Sequence, residues 1–519
     1  MSKYQVIITL GGNGKRFADA GYELPKYLLP VSISNKNIKV IDLVTDMFDD
    51  GDTDIIYLCN KYHIEKYDLN NVLKYKTVVP VIPGNGPGDA ILQAKEFIDF
   101  SKPTFVQYCD TFQPWNLTNI KRQIESSNSD AAVVVTDENC PSVYDGTLYG
   151  RVKVKDNLVE DIKEKAEPEY SNYLGCGTFY FRTGKMLLNY VEIQDKNRDR
   201  YYLNGESYIN CTIKALLDNG KSVVPINVTG YLNLGVPRDY EEYMYWQKLI
   251  YQYMNYTDSN ALKNSTIIVP AAGLGSRFSN TYGLPKPLIS VEENENSPMY
   301  VEAIHHSFNP ENVIIVTRKD LAFYKEFELN TCGRGYTLVE LNSITEGQAI
   351  TVKEGLKYIK KDGPVIINSC DQGILYNKER FNDLYKDADI IVCGIKNYQP
   401  ALRHVNSFSW IKNNGREVTA ITSKRCDDNP NESLAFVSCL LYKSKDILEK
   451  SIESLVTRGV KTNNEYYIDE SINDSIALGY KVKVLEIDAY LNWGTPEELE
   501  LFRWWKRFFV TTGLYDYLA

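Results

Sequence analysis

The chain has 519 residues, of which 43% are hydrophobic and 24% are charged, and its formal net charge is −10. This length exceeds one ordinary core, so we expect two domains of roughly 250 residues each. The negative charge argues against a general nucleic-acid binder, and the sequence shows neither an apolar run of membrane-spanning length nor a secretory leader. We therefore expect a cytoplasmic protein with no nucleic-acid partner and no membrane partner.

A glycine-rich turn follows the first apolar, strand-like run of the chain. Gly11, Gly12 and Gly14 let the backbone approach a ligand closely and point successive N–H groups at an anion. Arg16 adds a fork suited to phosphate oxygens, and Lys26 adds a point charge. The turn therefore predicts a cradle for nucleotide phosphates, although it is neither a Walker P-loop nor a dinucleotide-binding loop.

Short β-rich runs then alternate with segments of helical character. We predict strands at residues 6–10, 55–58, 78–82, 104–108 and 131–135, with a helix at 89–98 among the intervening segments. This alternation favours an α/β domain with a mostly parallel mixed sheet and helices on both faces. Open sheets of this kind bind ligands at the carboxyl ends of their strands, where the glycine-rich turn and Asp110 would lie.

Asp110 ends an apolar strand, a place where a carboxylate is costly unless it has a partner. A strand-end cap is one interpretation. Beside a phosphate cradle we favour a Mg²⁺ ligand, because Mg²⁺ typically takes one or two carboxylates together with phosphate oxygens. Asn233 could complete such a site through its amide oxygen, and a turn residue before glycine is the equally favoured alternative.

The second half of the chain repeats these landmarks in the same order. Arg277 and Asp371 each lie 261 residues after their counterparts at 16 and 110, whereas the later landmarks are 259 residues apart. The repeated candidates are Gly273, Gly275, Arg277, Lys286, Asp371 and Asn492. We predict a whole-domain duplication with domains at 1–256 and 264–519, joined by a polar linker at 255–265.

Each half ends in an aromatic, amphipathic segment, at residues 240–254 and 499–509. These segments are typical of terminal helices. They could pack on each other or on another subunit, so an oligomer through the two aromatic helices is one of our expectations.

The combined motif resembles the nucleotidylyltransferases that activate sugar phosphates and related phosphorylated metabolites. It consists of Gly-Gly-x-Gly-x-Arg-Phe at 11–17, Pro-Lys at 25–26, the strand-end Asp110, Glu-Lys at 164–165 and Asn-x-Gly-Thr-Pro-Glu at 492–497. The resemblance implies tandem Rossmann-like nucleotidyltransferase domains that use Mg²⁺. It also implies the reaction of an NTP with a phosphorylated small-molecule acceptor, which releases pyrophosphate.

The resemblance also assigns residues to roles. Phosphate-handling catalytic residues would be Arg16, Lys26, Arg277 and Lys286. Nucleotide-binding residues would be Gly11, Gly12, Gly14, Gly88, Asp89, Gly273, Gly275, Gly347 and Gln348. Acceptor-binding residues would be Glu164, Lys165, Glu206, Lys424 and Glu465, and metal ligands would be Asp110, Asn233, Asp371 and Asn492.

The two halves differ where the acceptor would bind. The first has Glu164-Lys165, whereas the second has Ser423-Lys424, so the acidic contact to an acceptor hydroxyl is missing there. We therefore expect a different acceptor for each half, and a degenerate, structural second half is the alternative.

Three other functions compete with this interpretation. A cytidylyltransferase acting on a polyol or aminoalcohol phosphate is a close relative of the leading one. A metal-dependent glycosyltransferase of related fold would need Asp-x-Asp, which Asp110-Thr111-Phe112 does not supply. A nucleotide-binding scaffold or sensor is disfavoured because both halves keep the Arg, Lys and Asp set.

Overall fold

The computed structural model describes residues 2–32, 38–137, 149–256, 262–293, 297–321 and 336–514. The chain divides into two compact units. One comprises Met1–Lys248 with Phe508–Ala519, and the other comprises Leu249–Arg507.

The first half of the chain alternates strands and helices. Its strands are β1 (Tyr4–Leu10), β2 (Thr53–Asn60), β3 (Val78–Val81), β4 (Thr104–Tyr108), β5 (Thr111–Phe112), β6 (Ala131–Thr136), β7 (Arg151–Lys155), β8 (Leu158–Lys163), β9 (Tyr173–Phe181), β10 (Val223–Asn227) and β11 (Leu232–Asn233). Its helices are α1 (Lys15–Asp19), α2 (Val40–Asp46), α3 (Lys61–Lys66), α4 (Leu69–Val72), α5 (Pro87–Gln93), α6 (Leu117–Ser127), α7 (Gly184–Lys196), α8 (Arg198–Tyr201), α9 (Ile209–Asp218) and α10 (Pro237–Met254).

The main sheet of the first half has the strand order β3-β2-β1-β4-β9-β6-β10, and the β7–β8 hairpin joins it through β9. Strand β1 runs parallel to β2 and β4, while β9 runs antiparallel to β4 and β6. Val6, Ile7 and Ile8 are all fully buried although successive side chains point to opposite faces, so both faces of the sheet are covered. The predicted α/β fold with a mixed sheet is thereby confirmed for this half.

The second half is built from a similar series. Its strands are β12 (Leu262–Ala271), β13 (Pro310–Arg318), β14 (Tyr336–Leu341), β15 (Val365–Asn368), β16 (Gln372–Leu375), β17 (Ile390–Lys396), β18 (Trp410–Asn414), β19 (Glu417–Thr422), β20 (Leu434–Tyr442), β21 (Val482–Glu486) and β22 (Ala489–Asn492). Its helices are α11 (Ser276–Tyr282), α12 (Met299–His305), α13 (Gln348–Leu356), α14 (Lys378–Asp387), α15 (Gln399–Arg403), α16 (Lys445–Arg458), α17 (Glu470–Ala477) and α18 (Pro496–Thr512).

The main sheet of the second half follows the order β14-β13-β12-β15-β20-β17-β21-β19-β18, and β18 also pairs with β20. Strand β12 is parallel to β13 and β15, and β20 is antiparallel to β15 and β17. From β14 to β21, the order and the strand directions match those of β3 to β10 in the first half, whereas β19 pairs with β21 and its counterpart β8 pairs only with β7 among the described strands.

Two element boundaries differ from the predictions. Strand β12 begins at Leu262, which pairs with Pro310, so the last part of the predicted linker is a strand. Residues 257–261 of that linker lie outside the described part of the chain. Helix α5 begins at Pro87, two residues before the predicted start, because proline suits the first helical position and Gly86 precedes it with φ +93°.

Among the described residues, no helix combines the length and the apolar character needed to cross a membrane.

Candidate active site

The glycine-rich turn connects β1 to α1 through a left-handed residue. Gly14 has φ 67° and precedes the helix, a conformation that costs a residue with a side chain about 1–2 kcal/mol. A Cβ added to Gly12 would meet no atom within 4 Å, so the backbone there is open to a ligand. Gly275 (φ 60°) and Gly273 repeat these two environments in the second half.

A lysine and an aspartate form an ion pair beneath each turn. Lys26 lies in a short 3-10 turn, and its Nζ pairs with Oδ2 of Asp110, two residues beyond β4. Lys286 pairs in the same way with Oδ2 of Asp371, and its Nζ also donates to the carbonyl of Gly494 at 2.8 Å. The sequence-predicted lysine and aspartate therefore meet in both halves.

The ion pairs keep both lysines positively charged. Burial acts to lower the pKa of Lys26, but the attraction of Asp110 outweighs it and the net pKa is raised. The pKa of Lys286 is raised for the same reason. Burial acts to lower it, and the attraction of Asp371 outweighs burial. Each turn thus has a permanent cation at its base.

A small two-stranded ribbon places an asparagine beside each aspartate. In the first half Asn233 lies opposite Thr111 in the β5–β11 pair, and the N–H of Leu234 donates to the carbonyl of Asp110 at 2.7 Å. In the second half Asn492 lies opposite Gln372 in the β16–β22 pair.

The asparagine and aspartate oxygens converge over a glycine. A Cβ built on Gly235 would lie 2.8 Å from Asn233 Oδ1 and 2.8 Å from Asp110 Oδ2, so a side chain there would fill a gap lined by two oxygens. Asn233 Oδ1 also accepts from the N–H of Gly235 at 2.7 Å, as in an Asx turn. Carboxylate and amide oxygens are ligands that Mg²⁺ accepts, so the donor set fits such an ion.

The corresponding gap in the second half has a third oxygen. A Cβ on Gly494 would lie 3.0 Å from Asn492 Oδ1, 3.1 Å from Glu498 Oε2 and 3.7 Å from Asp371 Oδ2. Burial raises the pKa of Glu498, and the nearby charge of Asp371 raises it further. Sequence reasoning missed Glu498, although it stands one residue beyond the closing motif.

The same position in the first half is differently engaged. Asp239, 259 residues before Glu498, accepts from the hydroxyl of Tyr149 at 2.8 Å and from the guanidinium of Arg238. In the second half Phe408 stands where Tyr149 would be, so the hydroxyl donor is absent at that position.

The predicted acceptor residues of the first half form two hydrogen-bonded sets. Glu164 accepts from the amide of Asn210 at 2.5 Å, and burial raises the pKa of this glutamate against the effect of that hydrogen bond. Lys165 donates to the hydroxyl of Tyr208 at 2.8 Å, and Tyr208 in turn donates to Glu206. Sequence reasoning missed Asn210 and Tyr208, which hold the predicted groups in place.

The acceptor lysines share an unusual backbone. Lys165 and Lys424 both have left-handed conformations, with φ 50° and 55°. Glycine or asparagine adopts this conformation at lower cost, and both halves nonetheless have a lysine here.

One cavity collects most of the first-half candidates. It has a volume of about 560 Å³, within the range of small-ligand sites. Its lining includes the predicted residues Gly11, Gly12, Gly14, Arg16, Lys26, Asp110, Glu164, Lys165, Glu206 and Asn233. Phosphate-handling, metal-binding and acceptor-binding candidates therefore face one space.

Gly88 and Asp89, which we predicted to bind the nucleotide, are not among the residues that line this cavity. Gly88 is buried with its N–H donating to the carbonyl of Ser207 at 2.9 Å, and the N–H of Asp89 donates to Ser207 Oγ at 2.9 Å. The cavity wall in this segment is formed instead by Gly84, Gly86 and Ala90.

The correspondence between the halves shifts by two residues in this segment. Gly86 and Gly347 are the left-handed residues before α5 and α13, so Gly347 matches Gly86 and not Gly88. The N–H of Ala349 donates to the carbonyl of Tyr466 at 3.0 Å, as that of Gly88 does to Ser207.

The other second-half candidates lie as follows. The side chain of Gln348 donates to Ser369 Oγ at 2.9 Å, and a Cβ on Gly347 would lie 3.0 Å from that of Glu465. Lys424 donates to the carbonyl of Ser407 at 2.6 Å, and burial lowers the pKa of this lysine. The charge of Arg277 acts in the same direction on Lys424, so the predicted arginine and acceptor lysine are electrostatic neighbours.

Comparison with known proteins identifies the class of the first half. Residues 5–247 match the family model described as Nucleotidyl transferase. No curated protein matches the chain significantly. The match places a domain of the nucleotidyltransferase class of enzymes in the first half of the chain.

Several solved structures are similar to about half of the chain. The nucleoside-diphosphate-sugar pyrophosphorylase from Vibrio cholerae RC9 is 19% identical, with a TM-score of 0.38 and coverage of 46% of this chain and 99% of that one. A putative glucose-1-phosphate thymidylyltransferase from Bacillus anthracis is 18% identical, with a TM-score of 0.38 and coverage of 46% and 93%. The inositol-1-phosphate CTP transferase from T. maritima is 16% identical, with a TM-score of 0.37 and coverage of 49% and 98%.

The turn geometry predicts opposite outcomes for two neighbouring glycines. Gly14→Ala should destabilise the first half by roughly 1–2 kcal/mol, because alanine is strained at positive φ. Gly12→Ala should leave stability unchanged but weaken NTP binding, because its added methyl projects into the open space where phosphates would approach. Chemical denaturation and calorimetric NTP titration measure the two effects. Equal stability losses in the two variants would contradict the assignment.

Proposed function

We propose that the first half transfers the nucleotidyl group of an NTP to a sugar phosphate or a related phosphorylated metabolite. The products are the nucleotide-activated compound and pyrophosphate. The observation that carries this proposal is the single cavity in which the glycine-rich turn and Lys26–Asp110 face Glu164 and Lys165.

The reaction needs no nucleophilic side chain. An oxygen of the acceptor phosphate attacks the α-phosphorus in line, the new P–O bond forms, and the bond between the α-phosphorus and the bridging oxygen breaks as pyrophosphate leaves. Arg16 is exposed at the rim of the turn and Lys26 lies at its base, so their charges bracket the phosphates. Catalysis is then positioning together with electrostatic stabilisation.

The acceptor would bind opposite the turn. Lys165 would meet the acceptor phosphate, and its bond to Tyr208 orients the ammonium group. Glu164 and Glu206 would accept hydrogen bonds from acceptor hydroxyls, since ionised carboxylates are acceptors only.

Mg²⁺ is the metal that we propose for this site, where Asp110 and Asn233 would hold it. Bound there, the ion would supply positive charge to the phosphate oxygens. Asp371, Asn492 and Glu498 would hold the equivalent ion in the second half, where three oxygens converge.

The second half, on this proposal, is a further nucleotidyltransferase domain with its own acceptor. Its strand order, its Lys286–Asp371 ion pair and its left-handed glycine before α11 support this view. The replacement of Glu164 by Ser423 supports a different acceptor.

The paired lysines allow each half to be silenced in the full-length chain. Lys26→Ala should lower first-half turnover at least a hundredfold, since a charge that stabilises the transition state is lost. Lys286→Ala is the matched variant for the second half. Pyrophosphate release with ATP, CTP, GTP and UTP against sugar, polyol and aminoalcohol phosphates measures both.

Each single variant should lose one set of acceptors and keep the other, and the double variant should lose both. Full activity in the double variant would contradict the nucleotidyltransferase proposal. Loss of the same acceptor in both single variants would contradict separate acceptors.

The raised pKa of Glu164 predicts a pH effect on the acceptor. Burial and the charge of Glu206 raise this pKa, while Asn210 and Lys165 oppose them. Only the carboxylate accepts hydroxyl hydrogen bonds, so kcat/KM for the first-half acceptor should fall as pH decreases through the raised pKa. Glu164→Gln should have a lower kcat/KM that lacks this acidic limb. If kcat/KM of the glutamine variant fell at low pH as it does in the wild type, the fall would come from the titration of another group.

Glu498 predicts a difference in cation binding. Glu498→Gln should weaken Mn²⁺ binding to the second half severalfold, because one of three converging oxygens loses its charge. Asp239→Asn is the control and should leave Mn²⁺ binding unchanged, since Asp239 is bonded to Tyr149 and Arg238. Electron paramagnetic resonance of free Mn²⁺ measures binding without turnover. Unchanged affinity in Glu498→Gln would exclude this glutamate as a ligand.

A further inference from the structure

The hairpin of the second half lacks the carboxylate of Glu164, and a different carboxylate, that of Asp469, lies at the N-terminal cap of α17. The same separation of 259 residues relates Glu164 to Ser423 and Asn210 to Asp469. In the first half, the acid Glu164 follows the hairpin and the amide Asn210 lies at the start of the helix. In the second half, the hydroxyl of Ser423 follows the hairpin and the acid Asp469 lies at the start of the helix. The hairpin of the second half has no acid at this position, and the nearby acid is Asp469, which accepts a hydrogen bond from Ser423.

In the first half, the arrangement needs a glycine behind it. Asn210 is 5% exposed and donates to Glu164, which lines the cavity. A Cβ on Gly150 would overlap the amide nitrogen of Asn210. The glycine therefore makes room for the amide that holds the glutamate.

In the second half, a serine stands in place of that glycine. Ser409, 259 residues after Gly150, donates to Oδ2 of Asp469 at 2.5 Å, and Ser423 donates to the same oxygen at 3.0 Å. Asp469 is only 6% exposed, and its Oδ1 accepts from the N–H of Glu470 at 2.9 Å. The buried carboxylate is therefore fully hydrogen-bonded, and all three exchanged residues belong to one network.

The exchange changes what an acceptor would meet. Serine has three fewer side-chain heavy atoms than glutamate, so Ser423 reaches less far from its backbone than Glu164 does. The proton of Ser423 is committed to Asp469, so its oxygen presents lone pairs to a ligand. Lys424 follows Ser423 with the same left-handed backbone as Lys165, so the phosphate-binding cation is kept.

We propose that Ser423, held by Asp469 and Ser409, selects the acceptor of the second half. The acceptor class is a sugar or polyol phosphate with an acylamino group where the first half binds a hydroxyl. The amide N–H would donate to Ser423, and the acyl group would fill the space left by the shorter side chain. This inference rests on the proposed activity of the second half.

The test rebuilds the first-half arrangement in the second half. The full-length chain carries Lys26→Ala, so that pyrophosphate release reports the second half alone. Glucose 1-phosphate and N-acetylglucosamine 1-phosphate are the two probes, each with the four NTPs. The triple variant Ser409→Gly, Ser423→Glu and Asp469→Asn is compared with the Lys26→Ala parent.

The parent should have the lower KM for the N-acetylated probe. The triple variant should raise that KM at least tenfold, lower the KM for glucose 1-phosphate, and leave the KM for the NTP unchanged. A purely structural role would instead lower Tm and change both acceptors alike. Ser423→Ala is a milder comparison, which keeps the space but removes the oxygen, and should raise the KM for the N-acetylated probe severalfold.

Two failures are distinguishable. An unchanged ratio of the two acceptor KM values in the triple variant, or turnover of neither probe by an otherwise active second half, would overturn this inference alone. No pyrophosphate from the Lys26→Ala chain with any NTP and any phosphate would overturn both this inference and the proposed function of the second half.

Discussion

The ion pair between a partly buried lysine and a strand-end aspartate is the constraint on which the rest of each half depends. A carboxylate at the end of a buried strand is costly, and Lys26 and Lys286 neutralise Asp110 and Asp371 while keeping their own charge. The pair joins the turn after the first strand to the end of the fourth. The two-stranded ribbon then fixes the asparagine beside the aspartate, so the proposed metal ligands and the proposed phosphate cradle share one edge of the sheet.

Local sequence signals predicted the elements that carry this constraint. Apolar runs and glycine spacing are sufficient for the strands, the turn and the strand-end acids, because each depends on neighbours in the chain. They were insufficient for Asn210 and Asp469, whose partners lie on a distant hairpin. The match of Gly347 to Gly86 was also missed. It depends on the positive φ angles of the two glycines before α5 and α13, and a sequence motif shows residue types but not backbone angles.

The two halves share the lysine, aspartate and glycine of the turn, and they differ on the acceptor side and at Glu498, which stands in place of Asp239. Lysine, aspartate and left-handed glycine recur where phosphates would bind, whereas the acceptor side exchanges an acid and its donor between hairpin and helix. Each version gives its carboxylate a hydrogen-bond donor on the other element, Asn210 for Glu164 and Ser423 for Asp469, which a substitution of one partner alone would not do. This compensation supports the proposal that the second half has an acceptor site of its own.

Transfer of an isotopic label tests the central claim most directly. The full-length protein would be incubated with its acceptor and with NTP labelled with ³²P at either the α or the γ position. Nucleotidyl transfer predicts that the α label enters the acceptor product and that the γ label is recovered in pyrophosphate. Recovery of the γ label in the acceptor would instead show phosphoryl transfer, and would contradict the account.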